Sequence, residues 1–145
     1  MTADEIMVGD LIYYCNINKY VTRVLGIRIS SDGDEDNYAI TAKRDERDPL
    51  AEQNKKFWQL FHVNILYPIP LTSEILEKNG FELHKGERGS YGVPISSYYI
   101  YKNSPRIYCD GSPFAFWHDE EVPIKYVHEL QHLLKICHIK KEIKL

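Results

Sequence analysis

The sequence lacks the features that mark several classes of protein. Its 145 residues contain no apolar run close to the roughly 20 residues that a membrane-spanning helix needs, and residues 1–6 lack the basic-then-apolar order of a signal peptide. Three cysteines, Cys15, Cys109 and Cys137, are an odd number without C-x-x-C spacing, which favours reduced thiols over a disulfide framework. These absences predict a cytoplasmic protein with no membrane partner.

The chain also lacks an excess of positive charge. Its net charge is -3 and its pI is about 6.1, so no global positive field attracts a phosphate backbone. This balance disfavours nucleic acid as a partner, although one loop could carry a local basic patch. That patch would consist of Lys43, Arg44, Arg47, Lys55 and Lys56. No glycine-rich phosphate loop, G-x-S-x-G elbow or paired-carboxylate motif is present.

What the chain does have is the composition of a globular protein, with 43% hydrophobic and 27% charged residues. Residues 11–15, 20–29, 37–43 and 57–66 are rich in β-branched and aromatic residues, which is typical of short strands. Residues 1–66 are therefore predicted to form an SH3-like small β-barrel or a bent antiparallel sheet.

Residues 67–145 are predicted to form a helix, a meander and a second helix. Thr72 is the expected N-cap of a helix over residues 73–79, Leu71 and Leu76 form its hydrophobic staple, and Gly80 ends it. Residues 81–84, 94–102, 106–109 and 113–118 then resemble the strands of an antiparallel meander. The last helix is expected to start near Pro123 and to run to about residue 138. Together the two halves predict an α+β protein packed as one compact unit.

The last helix contains the sequence His128-Glu129-x-x-His132, a signature of zinc hydrolases. In such enzymes the two histidines bind zinc and the glutamate is the general base. His138 follows ten residues after the first histidine, which is the spacing of a third ligand. A zinc-dependent hydrolase with zinc as its cofactor is therefore one hypothesis.

The helical wheel favours a different role for this helix. At about 100° per residue, His128 and His132 lie nearly opposite the apolar stripe, so both are predicted to face water. Lys135 stands where a glycine would have to turn the chain, so the helix can run on and His138 would miss the metal. The wheel thus predicts a core-packing helix with no catalytic residue, metal or cofactor. The apolar stripe consists of Tyr126, Val127, Leu130, Leu133, Leu134 and Cys137.

Eleven of the residues are tyrosines, and five of these are close together in the second half. Tyr99 and Tyr101 are expected on one face of a strand and Tyr98 on the other. Exposed aromatic side chains can anchor a protein partner or stack on bases. The alternative, which is the commoner role of tyrosine, is to cover the rim of a small core. The five are Tyr91, Tyr98, Tyr99, Tyr101 and Tyr108.

Two segments, PIPLTSEILEKNGF (68–81) and IKYVHELQHL (124–133), resemble an uncharacterised family of small proteins from Bacteroides-type bacteria and their phages. The family pattern includes His128, Leu130 and Gln131, but it requires neither Glu129 nor His132. The resemblance implies an architecture without a known activity, and it weakens the metal hypothesis. The leading prediction is a non-catalytic accessory or interaction module that has a protein partner and is encoded by a phage or mobile element. The alternatives are the zinc hydrolase and a nucleic-acid-binding module.

Overall fold

The computed structural model describes residues 5–14, 19–28, 38–42, 58–86, 96–109 and 111–145. The protein is α+β, as the sequence predicts. The chain divides into two compact units, Met1–Ile69 and Pro70–Leu145, and each contains one antiparallel five-stranded sheet. None of the described helices has the length and apolar character needed to cross a membrane. Several predicted features lie outside the described residues: Cys15, the basic loop residues Lys43, Arg44, Arg47, Lys55 and Lys56, and Tyr91.

The first unit is a curled half-barrel, which confirms the predicted bent antiparallel sheet. Its strand order is β4-β3-β2-β1-β5, so each strand pairs with its neighbour in sequence until β5 returns to β1. The buried core of this unit is a cluster of Ile6, Ile12, Tyr14, Val24, Ala39, Phe61, Val63 and Leu66. The strands are β1 (Leu11–Tyr14), β2 (Tyr20–Arg28), β3 (Tyr38–Ala42), β4 (Trp58–His62) and β5 (Leu66–Tyr67).

Two local irregularities shape this sheet. The pairing of β2 with β3 shifts between Val24 and Gly26, which is a β-bulge at the glycine where the sequence favours one. The predicted strand over residues 57–66 is interrupted by a 3-10 helix (Val63–Ile65). The interruption has a local cause, because Nδ1 of His62 accepts a hydrogen bond from the N–H of Asn64 at 3.3 Å.

The second unit is a sequential meander with two helices. Its sheet has the order β10-β9-β8-β7-β6. Strands β6 to β9 fall within the predicted segments. The elements are α1 (Ser73–Lys78), β6 (Glu82–His84), β7 (Tyr98–Ile100), β8 (Arg106–Tyr108), β9 (Phe114–Trp117), β10 (Glu120–Pro123) and α2 (Val127–Ile136).

Helix α1 has the predicted caps at both ends. Oγ1 of Thr72 accepts a hydrogen bond from the N–H of Ile75 at 3.3 Å, which caps the first turn. Gly80 has a φ of +73°, and the N–H of Phe81 donates to the carbonyl of Leu76 at 3.0 Å. This is the Schellman motif that the Asn-Gly-Phe sequence indicates.

The prediction that the last helix begins near Pro123 is wrong, because Glu120–Pro123 form strand β10. Trp117 pairs with Glu120, so β9 and β10 are joined by a two-residue turn. His118 and Asp119 form this turn with φ values of +49° and +65°. Pro123 ends the edge strand opposite Phe114, and α2 starts four residues later than expected, at Val127.

Candidate functional site

Helix α2 buries a wider arc than its apolar stripe predicts. Val127, Leu130 and Leu134 are buried as expected, but His128 is also buried, with 5% of its surface exposed. His132 is half-buried. The prediction that both histidines face water is therefore wrong for His128, and it holds only in part for His132.

The burial of His128 has a local cause in the residue that precedes the helix. Tyr126 has an extended backbone, and its ring stacks on the His128 imidazole with ring centroids 5.7 Å apart and planes at 8°. The His132 ring meets His128 edge-on at 5.7 Å, with planes at 71°. Nδ1 of His128 is buried. The two histidines and the tyrosine thus form one packed aromatic group on this side of α2.

Glu129 has a structural role at the start of the same helix. One of its carboxylate oxygens accepts a hydrogen bond from the N–H of Tyr126 at 3.0 Å. Glu129 is the third residue of the helix, so this is the reach-back half of a capping box. The general base of a zinc hydrolase must instead point at a metal-bound water. In this structure the carboxylate is directed at the backbone of the helix start.

His138 lies beyond the end of α2. The helix ends at Ile136, and His138 has a left-handed φ of +55° with its side chain exposed. The N–H of Ile139 donates to the carbonyl of Leu134 at 2.8 Å, which closes a Schellman motif around the histidine. The helix runs past Lys135 as predicted, but it ends at Ile136, two residues before the predicted end near residue 138. Among the described residues, no three His, Cys, Asp or Glu side chains gather closely enough to hold a metal ion. The zinc centre stays a prediction.

The described cysteines lie apart from any such cluster. Cys109 and Cys137 are half-buried thiols outside any disulfide. Burial raises the pKa of the Cys137 thiol above 9.0. A thiol with a raised pKa is a poor nucleophile near neutral pH.

The tyrosine cluster divides between the two faces of the second sheet. Tyr99 is on the buried face, and its hydroxyl donates a hydrogen bond to Oε1 of Glu77 at 2.8 Å. The Tyr101 ring packs against Phe81 with centroids 5.3 Å apart. These two tyrosines support the core. The strand alternation puts Tyr98 and Tyr108 on the opposite, outer face.

A row of aromatic rings crosses the outer face on four neighbouring strands. His84 stacks on Tyr98 with centroids 5.1 Å apart and planes at 2°. Tyr98 is 5.8 Å from Tyr108, and Tyr108 stacks on Phe114 at 4.8 Å. The pairs His84–Tyr98 and Tyr108–Phe114 are stacked face to face, whereas the Tyr98 and Tyr108 rings are tilted at 49° to each other.

A second row runs beside the first, with Arg106 at its centre. The Arg106 guanidinium carbon lies 5.0 Å from the centroid of the Tyr98 ring, within cation–π distance. Phe116 pairs with Arg106 across the strands and is 39% exposed. The exposed side chains of Glu82 and Glu121 lie at the two ends of this row. We call these two rows the aromatic face.

The sequence predicted only part of the aromatic face. Tyr98 and Tyr108 are among the predicted candidates, whereas His84, Arg106 and the two phenylalanines are not. Alternation along each strand was visible in the sequence. The register between strands was not, and the register is what lines the rings up.

Comparison with known proteins gives no further information about this site. No protein-family model matches the sequence. No curated protein and no solved structure matches it either.

Proposed function

We propose that the protein is a non-catalytic accessory or interaction module that binds a partner protein through the aromatic face. The observation that carries this proposal is the composition of the face. It has tyrosine, phenylalanine and arginine at its centre and carboxylates at its ends. Protein interfaces are enriched in aromatic residues and arginine, and their rims are polar.

The charges on the face favour a protein over a nucleic acid. Arg106 is accompanied by Glu82 and Glu121, so the face has no positive excess that would attract phosphates. A base-stacking platform also needs free ring faces. Here the Tyr98 ring is stacked on His84 and lies under Arg106.

The proposal extends to the origin of the chain and the type of its first unit. The family resemblance implies a module encoded by a phage or another mobile element. The curled first sheet supports an SH3-like assignment, and folds of that type host many binding functions.

The test compares partner recovery by three tagged proteins expressed in the native host cells. These are the wild type, the double variant Arg106→Ala with Phe116→Ala, and the control Ile136→Ala. Ile136 is 68% exposed and belongs to α2, not to the sheet. We expect a stoichiometric partner with the wild type and the control. Because central interface residues each contribute more than about 1 kcal/mol, the double variant should bind at least about tenfold more weakly. Equal recovery by all three proteins, or recovery of no partner, would contradict the proposal.

A further inference from the structure

We infer that the partner binds as an extended strand added to β6, at the edge of the sheet that carries the aromatic face. This inference rests on the proposed function and specifies the geometry of the partner. β6 is the last strand in the sheet order and pairs with β7 alone among the described strands. All three of its residues, Glu82, Leu83 and His84, are exposed.

The chemistry of a strand edge selects its partner. An edge presents a row of backbone N–H and C=O groups, and another extended backbone matches the spacing of that row. All pairings in this sheet are antiparallel. An antiparallel sixth strand therefore continues the existing pattern.

The opposite edge of the sheet is less suited to strand addition. β10 contains Pro123, which has no N–H to donate, and the exposed carboxylates of Glu120 and Glu121. Proline and charged side chains are the devices that protect sheet edges from pairing. β6 has no proline, and its central side chain is a leucine.

Leu83 indicates what the added strand carries on the core side of the sheet. It pairs with the buried Tyr99 on that side, yet 43% of its surface is exposed, since no described strand pairs with this edge of β6. An apolar residue opposite Leu83 would cover this surface, since directly opposite side chains of adjacent strands are in contact.

The flanking residues of the added strand would extend the two rows of the aromatic face. An aromatic residue opposite His84 continues the stacked row, and a basic residue opposite Glu82 pairs with its carboxylate. Since the added strand runs antiparallel to β6, its sequence reads aromatic, apolar, basic from N- to C-terminus.

The test uses a fluorescein-labelled synthetic peptide with the central sequence tyrosine-valine-lysine between threonines. Its binding is measured by fluorescence polarisation to the wild type, Leu83→Lys and the matched control Ile136→Lys. We expect Leu83→Lys to bind at least about tenfold more weakly, because a charged side chain would face the apolar residue of the peptide. Ile136→Lys should bind like the wild type. A peptide with proline in place of valine should lose binding, since it lacks the central N–H.

A charge swap tests the register independently. Glu82→Lys should bind the tyrosine-valine-glutamate peptide more tightly than the lysine peptide, whereas the wild type should show the opposite preference. The strand inference is overturned if the wild type binds neither peptide, if the proline peptide binds equally well, or if Glu82→Lys leaves the preference unchanged.

The partner identified with the tagged proteins separates this inference from the proposed function. If the partner still binds Leu83→Lys but no longer binds the Arg106 and Phe116 double variant, the strand inference is overturned and binding through the aromatic face is supported. A partner that every variant retains would overturn both.

Discussion

The side-chain amide of Asn79 pairs with the backbone of Lys144 through two hydrogen bonds. Nδ2 donates to the Lys144 carbonyl at 2.7 Å, and Oδ1 accepts from the Lys144 N–H at 2.8 Å. Nδ2 also donates to the carbonyl of Ile75 at 2.8 Å. The neighbouring Ile143 is 1% exposed. Asn79 therefore both ends α1 and fixes the segment that follows α2.

Replacing Asn79 with aspartate should destabilise the protein. The substitution keeps the shape but replaces the Nδ2 donor with a carboxylate oxygen, so the carbonyls of Ile75 and Lys144 each lose one hydrogen bond. Asn79 is 3% exposed, and an unsatisfied buried polar group costs about 1–3 kcal/mol. The measurement is the free energy of unfolding in urea.

Asn103→Asp is the matched control for this substitution, because Asn103 is exposed in the turn between β7 and β8. Its effect should stay within about 0.5 kcal/mol. Equal losses in the two variants would contradict the role of Asn79.

Glu129→Ala should lower stability by about 1 kcal/mol, because it removes the acceptor for the N–H of Tyr126. Alanine and glutamate both favour helices, so propensity contributes little to this change. Thermal or urea unfolding measures it. Glu129→Gln retains a side-chain oxygen acceptor and should lose less. If glutamine and alanine cost the same, the capping contact does not explain the effect.

Zinc content tests the remaining enzyme hypothesis directly. In protein purified without chelators, we expect far less than one zinc ion per chain, and no change in His132→Ala. The reason is that His138 lies beyond the helix end and the Glu129 carboxylate caps the helix. Elemental analysis by mass spectrometry gives the ratio. Stoichiometric zinc that is lost in His132→Ala would instead establish a metal centre and favour a hydrolase.

Tyr99 should make stability depend on pH in the alkaline range. A hydrogen bond with Ser73 lowers its pKa, but burial together with the hydrogen bond and charge of Glu77 raises the pKa above 10.0 overall. A group with a raised pKa in the folded state stabilises it fully below the unfolded pKa. That contribution is lost as the pH rises through the folded pKa.

Tyr99→Phe therefore should flatten the fall in stability between about pH 8 and about pH 11, measured by urea unfolding at both values. At the lower pH it should cost about 1 kcal/mol, because the hydrogen bond to Glu77 is lost. Tyr101→Phe is the control on the same sheet and should keep the wild-type slope. The same slope in Tyr99→Phe and the wild type would contradict this assignment.

The elements that the sequence predicted best depend on signals within a few residues. Thr72 and Gly80 cap α1 through contacts inside its own turns, so the sequence alone was sufficient. The hairpin between β9 and β10 had no such signal. His118 and Asp119 adopt positive φ values where Asn-Gly is the usual pair, and the acidic residues after them resembled a helix start.

The candidate site was harder to predict because it depends on contacts between elements. The helical wheel ranked His128 as exposed, since it cannot represent the Tyr126 ring that stacks on it from outside the helix. The aromatic face needed the strand register that puts His84, Tyr98 and Tyr108 in one row. Strand periodicity does not contain that register.

The meander order of the second sheet has a consequence for the kinetics of folding. Each strand from β6 to β10 pairs with its neighbour in sequence, so this sheet has a low contact order and can form through successive local hairpins. The pairing of Asn79 with Lys144 spans 65 positions in sequence, and its loop-closure entropy must be overcome separately. A destabilising change at Asn79 should therefore accelerate unfolding while leaving the refolding rate nearly unchanged.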